Sequence, residues 1–384
     1  MSASALAASD RDALLDELAC YLRPPGQGIH AVSTGRAELL EKTRAYLGPA
    51  WDPDAAWRDH LASALGDPAS LPAVALLAIP SDTGAGIVRG AARGPEAIRA
   101  ALGQAPVLDL GDVFSIPQLL GEDMLGEDQR ARCQDALWPE LPLARRRALA
   151  VSPLGMARRA RALLLALAPD LRVMMLGGDH TVTWPVLAPL LEVEGDELEA
   201  GVRDIGVVHF DAHTDLLPER LGIEHCFATW AYHANEALGR GQRLLQLGIR
   251  ASGRDRGHWE EHLGVRQIWA EEAKALTPQA LAAEVGAHMR ARGVRRIYIS
   301  NDIDGTDARW AAACGTPEPG GLEPEQVVAV IDALGQEFAV FGADLVELAP
   351  GLSLDREASA RSVEVATRYV RASLAALTGK KERE

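Results

Sequence analysis

Val207-Val208-His209-Phe210-Asp211-Ala212-His213-Thr214-Asp215 is the stretch on which the reading of this chain turns. Residues 205–210 are mostly apolar and do not alternate with polar ones, the pattern of a strand buried on both faces. Asp211, His213 and Asp215 then follow at a spacing of two. In extended chain, side chains at i, i+2 and i+4 share one face. Two carboxylates and an imidazole therefore meet just beyond a buried strand. Unpaired, they are costly, because like charges repel and burial disfavours ionised carboxylates. A bound divalent cation resolves the conflict; a strand end solvated by water is the plainer alternative.

Working outward, the same punctuation recurs. Apolar runs at 73–80, 107–113, 173–177, 244–249, 267–270, 296–300 and 339–343 end near Gly, Asp or Ser. Helix-like segments at 95–102, 156–167, 278–292 and 324–338 lie between them. Pro95 and Pro324 sit near helix starts, where a missing N–H costs little. This alternation predicts an α/β fold with a mostly parallel sheet covered by helices. Residues 115–150 read as an inserted helical excursion. Residues 1–70 read as a polar, helical N-terminal extension, packed on the domain or on a neighbouring subunit, ahead of a catalytic domain at 71–384.

In open parallel sheets ligands bind at the carboxyl ends of the strands. Two more runs end in chemistry there. Leu176-Gly177-Gly178-Asp179-His180 puts an imidazole after a glycine turn. By itself it also fits a helix cap built on Asp179 or Thr181. Ser300-Asn301-Asp302-Ile303-Asp304-Gly305-Thr306-Asp307 repeats the spacing-two carboxylates after residues 296–300. Together His180, Asp211, His213, Asp215, Asp302 and Asp304 exceed what one ion needs from protein. They suit two ions sharing bridging carboxylates, about 3.5–4 Å apart. Imidazole and carboxylate without thiolate favour Mn, Ni, Co or Fe over a cysteine-based zinc site.

Composition narrows the rest. The chain has 384 residues, 48% apolar and 24% charged, an ordinary globular balance that excludes wholesale disorder and collagen. The net charge of −15 disfavours nucleic acid or an anionic membrane as partner and suits a cationic substrate. Cys20, Cys133, Cys226 and Cys314 are scattered, so neither a disulfide framework nor a CxxC zinc site is expected. The first 22 residues turn acidic within ten and carry no apolar run, so no secretory leader and a cytoplasmic location are expected. No apolar run reaches the roughly 20 residues that a membrane span needs.

The three motifs GGDH, DAHTD and SNDIDGTD resemble the signature set of the ureohydrolase (arginase/agmatinase) superfamily. The segments at 89–99, 109–113, 315–322 and 342–347 resemble its supporting motifs, and the likeness spans about residues 73–375. The resemblance implies a three-layer α/β/α sandwich and a binuclear centre, usually of manganese. It assigns His180, Asp211, Asp215 and Asp302 to one ion and Asp211, His213, Asp302 and Asp304 to the other. It implies a hydroxide held between the ions that attacks a guanidinium carbon, with Asp215 as the catalytic residue that orients the nucleophile and takes its proton. It also implies a homotrimer or homohexamer.

The chain departs from the arginase pattern in places. Phe227-Ala228-Thr229 stands where HGT is common, so the usual proton-shuttle histidine is absent. His225, or else His233, is the expected substitute. After the GGL of the late motif, a guanidinium-gripping Glu is replaced by Gln326, with Glu323 and Glu325 nearby, and the third motif ends in Asp307-Ala308. Recognition of an α-amino acid is therefore not expected. The variant third motif, the long N-terminal region and the stretch at 226–235 are similar to the guanidine-hydrolase branch, which prefers nickel and small guanidines. Thr83 and Trp310 are expected to bind substrate, Trp310 as a bulky wall; Trp230 reads equally as core. The leading expectation is hydrolysis of free guanidine or a small alkylguanidine or biguanide. An agmatinase or guanidinobutyrase is the alternative within enzymes. A metal-bound but silent subunit of a hetero-oligomer is the alternative outside them.

Overall fold

In this computed structural model, residues 8–31, 35–47, 53–67, 70–86, 88–103, 107–197 and 204–379 are described. The apolar runs form one sheet: β1 (Leu22–Arg23), β2 (Val74–Ile79), β3 (Leu108–Val113), β4 (Arg172–Gly177), β5 (Ile205–Phe210), β6 (Leu244–Ile249), β7 (Arg266–Trp269), β8 (Arg296–Asp302) and β9 (Ala339–Val346). Their order is β1-β3-β2-β4-β9-β8-β5-β6-β7. Each pairing is parallel except that of β1 with β3.

Why three layers form can be followed along one strand. Val74, Leu76 and Ala78 of β2 enter one apolar cluster, with the helices Pro278–Ala291, Pro324–Glu337 and Arg356–Thr378. Ala75, Leu77 and Ile79 enter a second cluster, with the helices Ala8–Tyr21, Pro53–Leu65 and Pro153–Leu167. Alternate residues point to opposite faces, so a strand that is apolar throughout needs cover on both sides. β5 repeats the division: Val208 and Phe210 go to the first cluster, Ile205 and Val207 to a third beside Trp230. The result is the α/β/α sandwich expected from the sequence.

Leu15, Leu18, Tyr21, Trp57, Leu61 and Leu65, from the first helices, are buried in the second cluster. Glu17 pairs with Arg159 of the helix Pro153–Leu167 at 2.6 and 2.9 Å. Residues 115–150 hold the helices Glu127–Leu137 and Leu143–Arg147. Among the described residues no helix is long and apolar enough to cross a membrane.

The observed strands depart from the apolar runs where function intrudes. β8 continues through Asn301 and Asp302, and β9 through Asp344 to Val346. Asp344 is satisfied by β8: it accepts from Tyr298 at 2.9 Å, from Ser300 at 2.9 Å and from the Asn301 N–H at 3.2 Å.

Candidate functional site

β4, β9, β8 and β5 are neighbours, so their carboxyl ends stand side by side. After β4, Gly177-Gly178 turns into a single helical turn that begins at His180. A Cβ at Gly178 would lie 1.8 Å from the Ser81 carbonyl oxygen, so only glycine fits. Asp179 caps the turn through the Thr181 N–H at 2.8 Å. Asp211 is the first residue beyond β5, Asp302 the last of β8, and Asp304 lies in the following turn. There a Cβ on Gly305 would come within 2.7 Å of the Asp211 nitrogen. The two loops pack backbone to backbone. Asp215 has φ +52°, a left-handed conformation that aspartate tolerates better than most residues.

The six residues singled out in the sequence converge. Nδ1 of His180 faces carboxylate oxygens of Asp302 at 3.1 Å, Asp215 at 3.3 Å and Asp211 at 3.4 Å. Nδ1 of His213 faces Asp304 at 3.1 Å and the other oxygen of Asp211 at 3.4 Å. Asp211 thus has one oxygen in each group and joins them. The His180, Asp211, Asp215, Asp302 and Asp304 side chains are almost wholly buried, whereas His213 is 30% exposed and marks the solvent side.

Hydrogen bonds fix the tautomers. Ser300 donates to Asp344 at 2.9 Å, so its oxygen accepts from Nε2 of His180 at 2.9 Å. The lone pair of neutral His180 is then on Nδ1, aimed at three carboxylates. His209, within the decisive motif but not foreseen as a site residue, accepts from Gln246 at Nδ1 (3.0 Å) and donates from Nε2 to Asp211 (2.8 Å). It orients Asp211 and leaves no lone pair toward the cluster. Trp230 stacks on His180, with centroids 4.7 Å apart, and its N–H donates to Asp215 at 3.1 Å. Thr316 donates to Asp304 at 2.9 Å.

The charges are not balanced from within. Among the described residues, no lysine or arginine pairs with these six. Arg250, lying close by, gives its guanidinium to the carbonyls of Gly248, Asp304 and Glu318 instead. Burial, with Asp211 and Asp304 as neighbours, pushes both Asp215 and Asp302 well above the usual carboxylate range. Burial opposes charge on the histidines, yet the surrounding aspartates outweigh it. They hold His180 well above its ordinary value and push His213 up to about 12. A proton is all the chain can place between these groups, and a divalent cation fits the same donor set with the His180 tautomer already set.

The remaining expected site residues are held by contacts of their own. Thr83 donates to the Pro117 carbonyl at 3.3 Å, in a turn that abuts the His180 segment: a Cβ at Gly84 would meet the Thr181 hydroxyl. Trp310 packs on the first apolar cluster and donates to Glu323 at 3.0 Å. Gln326 caps its own helix, accepting from the Glu323 N–H at 3.1 Å and donating to the Ala273 carbonyl at 2.7 Å. His225 gathers with Glu224 and His233, apart from the six. A second residue not foreseen at the site, after His209, is Glu347, just beyond β9. It accepts the His180 N–H at 2.9 Å, and burial, then Asp179, raises its pKa well above the ordinary value. Its signal was the same as for the others: a carboxylate at the end of an apolar run.

Comparison with known proteins follows the same lines. The sequence pattern described as the Arginase family matches residues 72–374. The chain is 33% identical over 298 residues to N(1)-aminopropylagmatine ureohydrolase of Thermus thermophilus, covering 75% of this chain and 86% of that protein. It is 36% identical over 180 residues to guanidinobutyrase of Pseudomonas aeruginosa, 46% of this chain and 53% of that one. The match thus spans about half the length of that relative. Proclavaminate amidino hydrolase of Streptomyces clavuligerus shares the fold, with a TM-score of 0.58 and 24% identity over 79% of this chain and 92% of its own.

Proposed function

The chain belongs to the arginase family, and on that premise we propose that it is a binuclear metal-dependent hydrolase of a small guanidino compound, releasing urea plus ammonia or an amine. The observation that carries the reading is a group of two histidines and four aspartates, all but His213 buried, with no lysine or arginine partner among the described residues. Of two divalent ions, nickel or manganese, the inner one would be held by His180, Asp211, Asp215 and Asp302. Asp211, His213, Asp302 and Asp304 would hold the outer one. When bound, such a pair supplies Lewis acidity and a water made nucleophilic near neutral pH.

The chain's own residues supply the rest. Trp230 fixes Asp215 by its indole N–H, so that carboxylate is oriented to take a proton from the attacking water. Glu347 anchors one oxygen on the His180 N–H, and its carboxylate is placed to receive N–H groups of a planar cation. His213, partly exposed, stands where substrate enters. The acidic surroundings attract a cationic guanidinium.

Free guanidine, or a small alkylguanidine or biguanide, is the preferred substrate class. Its support is the departure at Phe227, Gln326 and Ala308 from the arginase-type pattern. Agmatine or guanidinobutyrate hydrolysis is the second reading, favoured by the names of the relatives. The resemblance to the family is also the ground for expecting a homotrimer or homohexamer, and the scattered cysteines are the ground for expecting a cytoplasmic location. The test is urea release from guanidine, dimethylguanidine, agmatine, guanidinobutyrate and arginine by protein loaded with Ni or Mn. Fastest turnover of guanidine or dimethylguanidine supports the proposal. Fastest turnover of agmatine or guanidinobutyrate transfers it to the second reading. No urea from any of them, with both ions bound, leaves a silent subunit.

A further inference from the structure

The segment after Asp215 and the helix Trp230–Ala237 together carry a second cluster of metal-ligating groups. Glu224, His225 and His233 each offer one ligand atom, and these atoms lie within 4.8 Å of one another. The two imidazoles meet edge to face, with centroids 4.8 Å apart and planes at 76°. They are half-buried and Glu224 is exposed, so the cluster is open to solvent.

Two details separate this from a chance meeting of histidines. Nε2 of His233 donates to the Glu224 carbonyl at 3.0 Å, which leaves its Nδ1 as a bare lone pair. A ring nitrogen tied to a backbone carbonyl while its partner nitrogen stays free is the usual arrangement of a metal-bound histidine. Nδ1 of His225 is enclosed, and among the described residues it has no hydrogen-bond partner. Buried polar atoms are normally satisfied, and one that is not asks for a ligand. Burial, then the neighbouring His233, lowers the His225 pKa, so the imidazole stays neutral and able to bind.

We propose that Glu224, His225 and His233 form a third cation site, separate from the central six residues, which takes one borderline divalent ion such as zinc or nickel. Two imidazoles and one carboxylate suit such ions, with water completing the coordination. The ion ties the segment around Glu224 and His225 to the helix that bears both His233 and Trp230. Trp230 in turn holds Asp215, so the third site braces the helix on which the central site leans.

The test counts zinc by equilibrium dialysis and elemental analysis in a background carrying H258A and H262A. That background removes a surface histidine pair whose rings lie 4.6 Å apart. Adding H225A and H233A is expected to lower the count by one equivalent per chain. The same count with and without those two changes overturns the proposal. Because only the difference is read, the outcome does not depend on how many ions the central residues hold. Should the multiple variant fail to fold, E224Q alone, at an exposed position, is expected to weaken one equivalent by at least about tenfold. Unchanged affinity in E224Q overturns the proposal equally.

Discussion

On β3, Asp109 near the start and Asp112 near the end are compensated by the chain itself. Arg99 takes both oxygens of Asp109 at 2.8 Å, reaches Asp112, and donates to the Gly111 carbonyl at 3.0 Å; the Gly28 N–H completes Asp112 at 2.9 Å. At the ends of β4, β5 and β8, four aspartates are buried as deeply, with only imidazoles between them. Both clusters sit on or just beyond strands of one sheet, and both are built from carboxylates. The difference is the counter-ion. A charge cluster that carries its own arginine is a device of stability. One that lacks it stores electrostatic free energy that a ligand from outside releases, and such places are where function is found.

Mutations that exchange these conditions test the contrast. The largest effect is expected from Asp211→Asn, which removes the residue shared by both groups. Metal content by elemental analysis should fall, and urea release should drop about 1000-fold or more, the scale of several kcal/mol of lost charge stabilisation. Retention of both would mean that the central cluster is structural after all. Next comes Arg99→Met, which strands Asp109 and Asp112 without a cation. Chemical denaturation should show a loss of about 3–5 kcal/mol, the usual consequence of leaving a buried charge unpaired.

The opposite sign is expected for Asp302→Asn in metal-free protein. Burial and its acidic neighbours already penalise the Asp302 charge, so neutralising it should stabilise the apo form by about 1 kcal/mol. The same change should weaken the metal-loaded form. A metal-free Asp302→Asn less stable than the parent would erase the distinction between the two clusters.

The smallest effect concerns Asp204, at the amino-terminal side of β5, paired with Arg295 at 2.7 Å and Arg296 at 2.8 Å. Burial raises its pKa, but Arg296 and then Arg295 outweigh it and hold it below the usual carboxylate range. A depressed folded value adds stability that is fully present above the unfolded pKa, near 3.9, and fades as pH falls through the lower folded value. Asp204→Asn should therefore flatten the stability profile below about pH 4 by less than about 1 kcal/mol, since the arginines are partly screened by solvent. Thermal unfolding across that range checks it.

How much was legible beforehand differs by residue. The central six could be read because each follows an apolar run or repeats at spacing two, and a parallel sheet gathers its strand ends. Glu347 gave the same signal and was read only as part of a late motif. Trp310 was expected at the cavity because it follows Asp304 by six residues. In the structure its indole N–H donates to Glu323. Gln326 stands at a position read as a lost substrate contact, yet its local geometry is that of a helix cap. β1 escaped notice because two residues form no pattern; it exists through pairing with β3.

The sequence by itself determined the layers and the six side chains that cluster at the strand ends, since strand periodicity, unbroken apolarity and carboxylate spacing are local properties that survive any register. The tertiary structure decided which carboxylates meet a resident arginine, which histidine nitrogen is left bare, and where His225 and His233 come together. Those depend on how segments pack against one another, whether eight residues apart, as His225 and His233 are, or 120, as His180 and Ser300 are, and no local pattern encodes the direction in which a side chain then points.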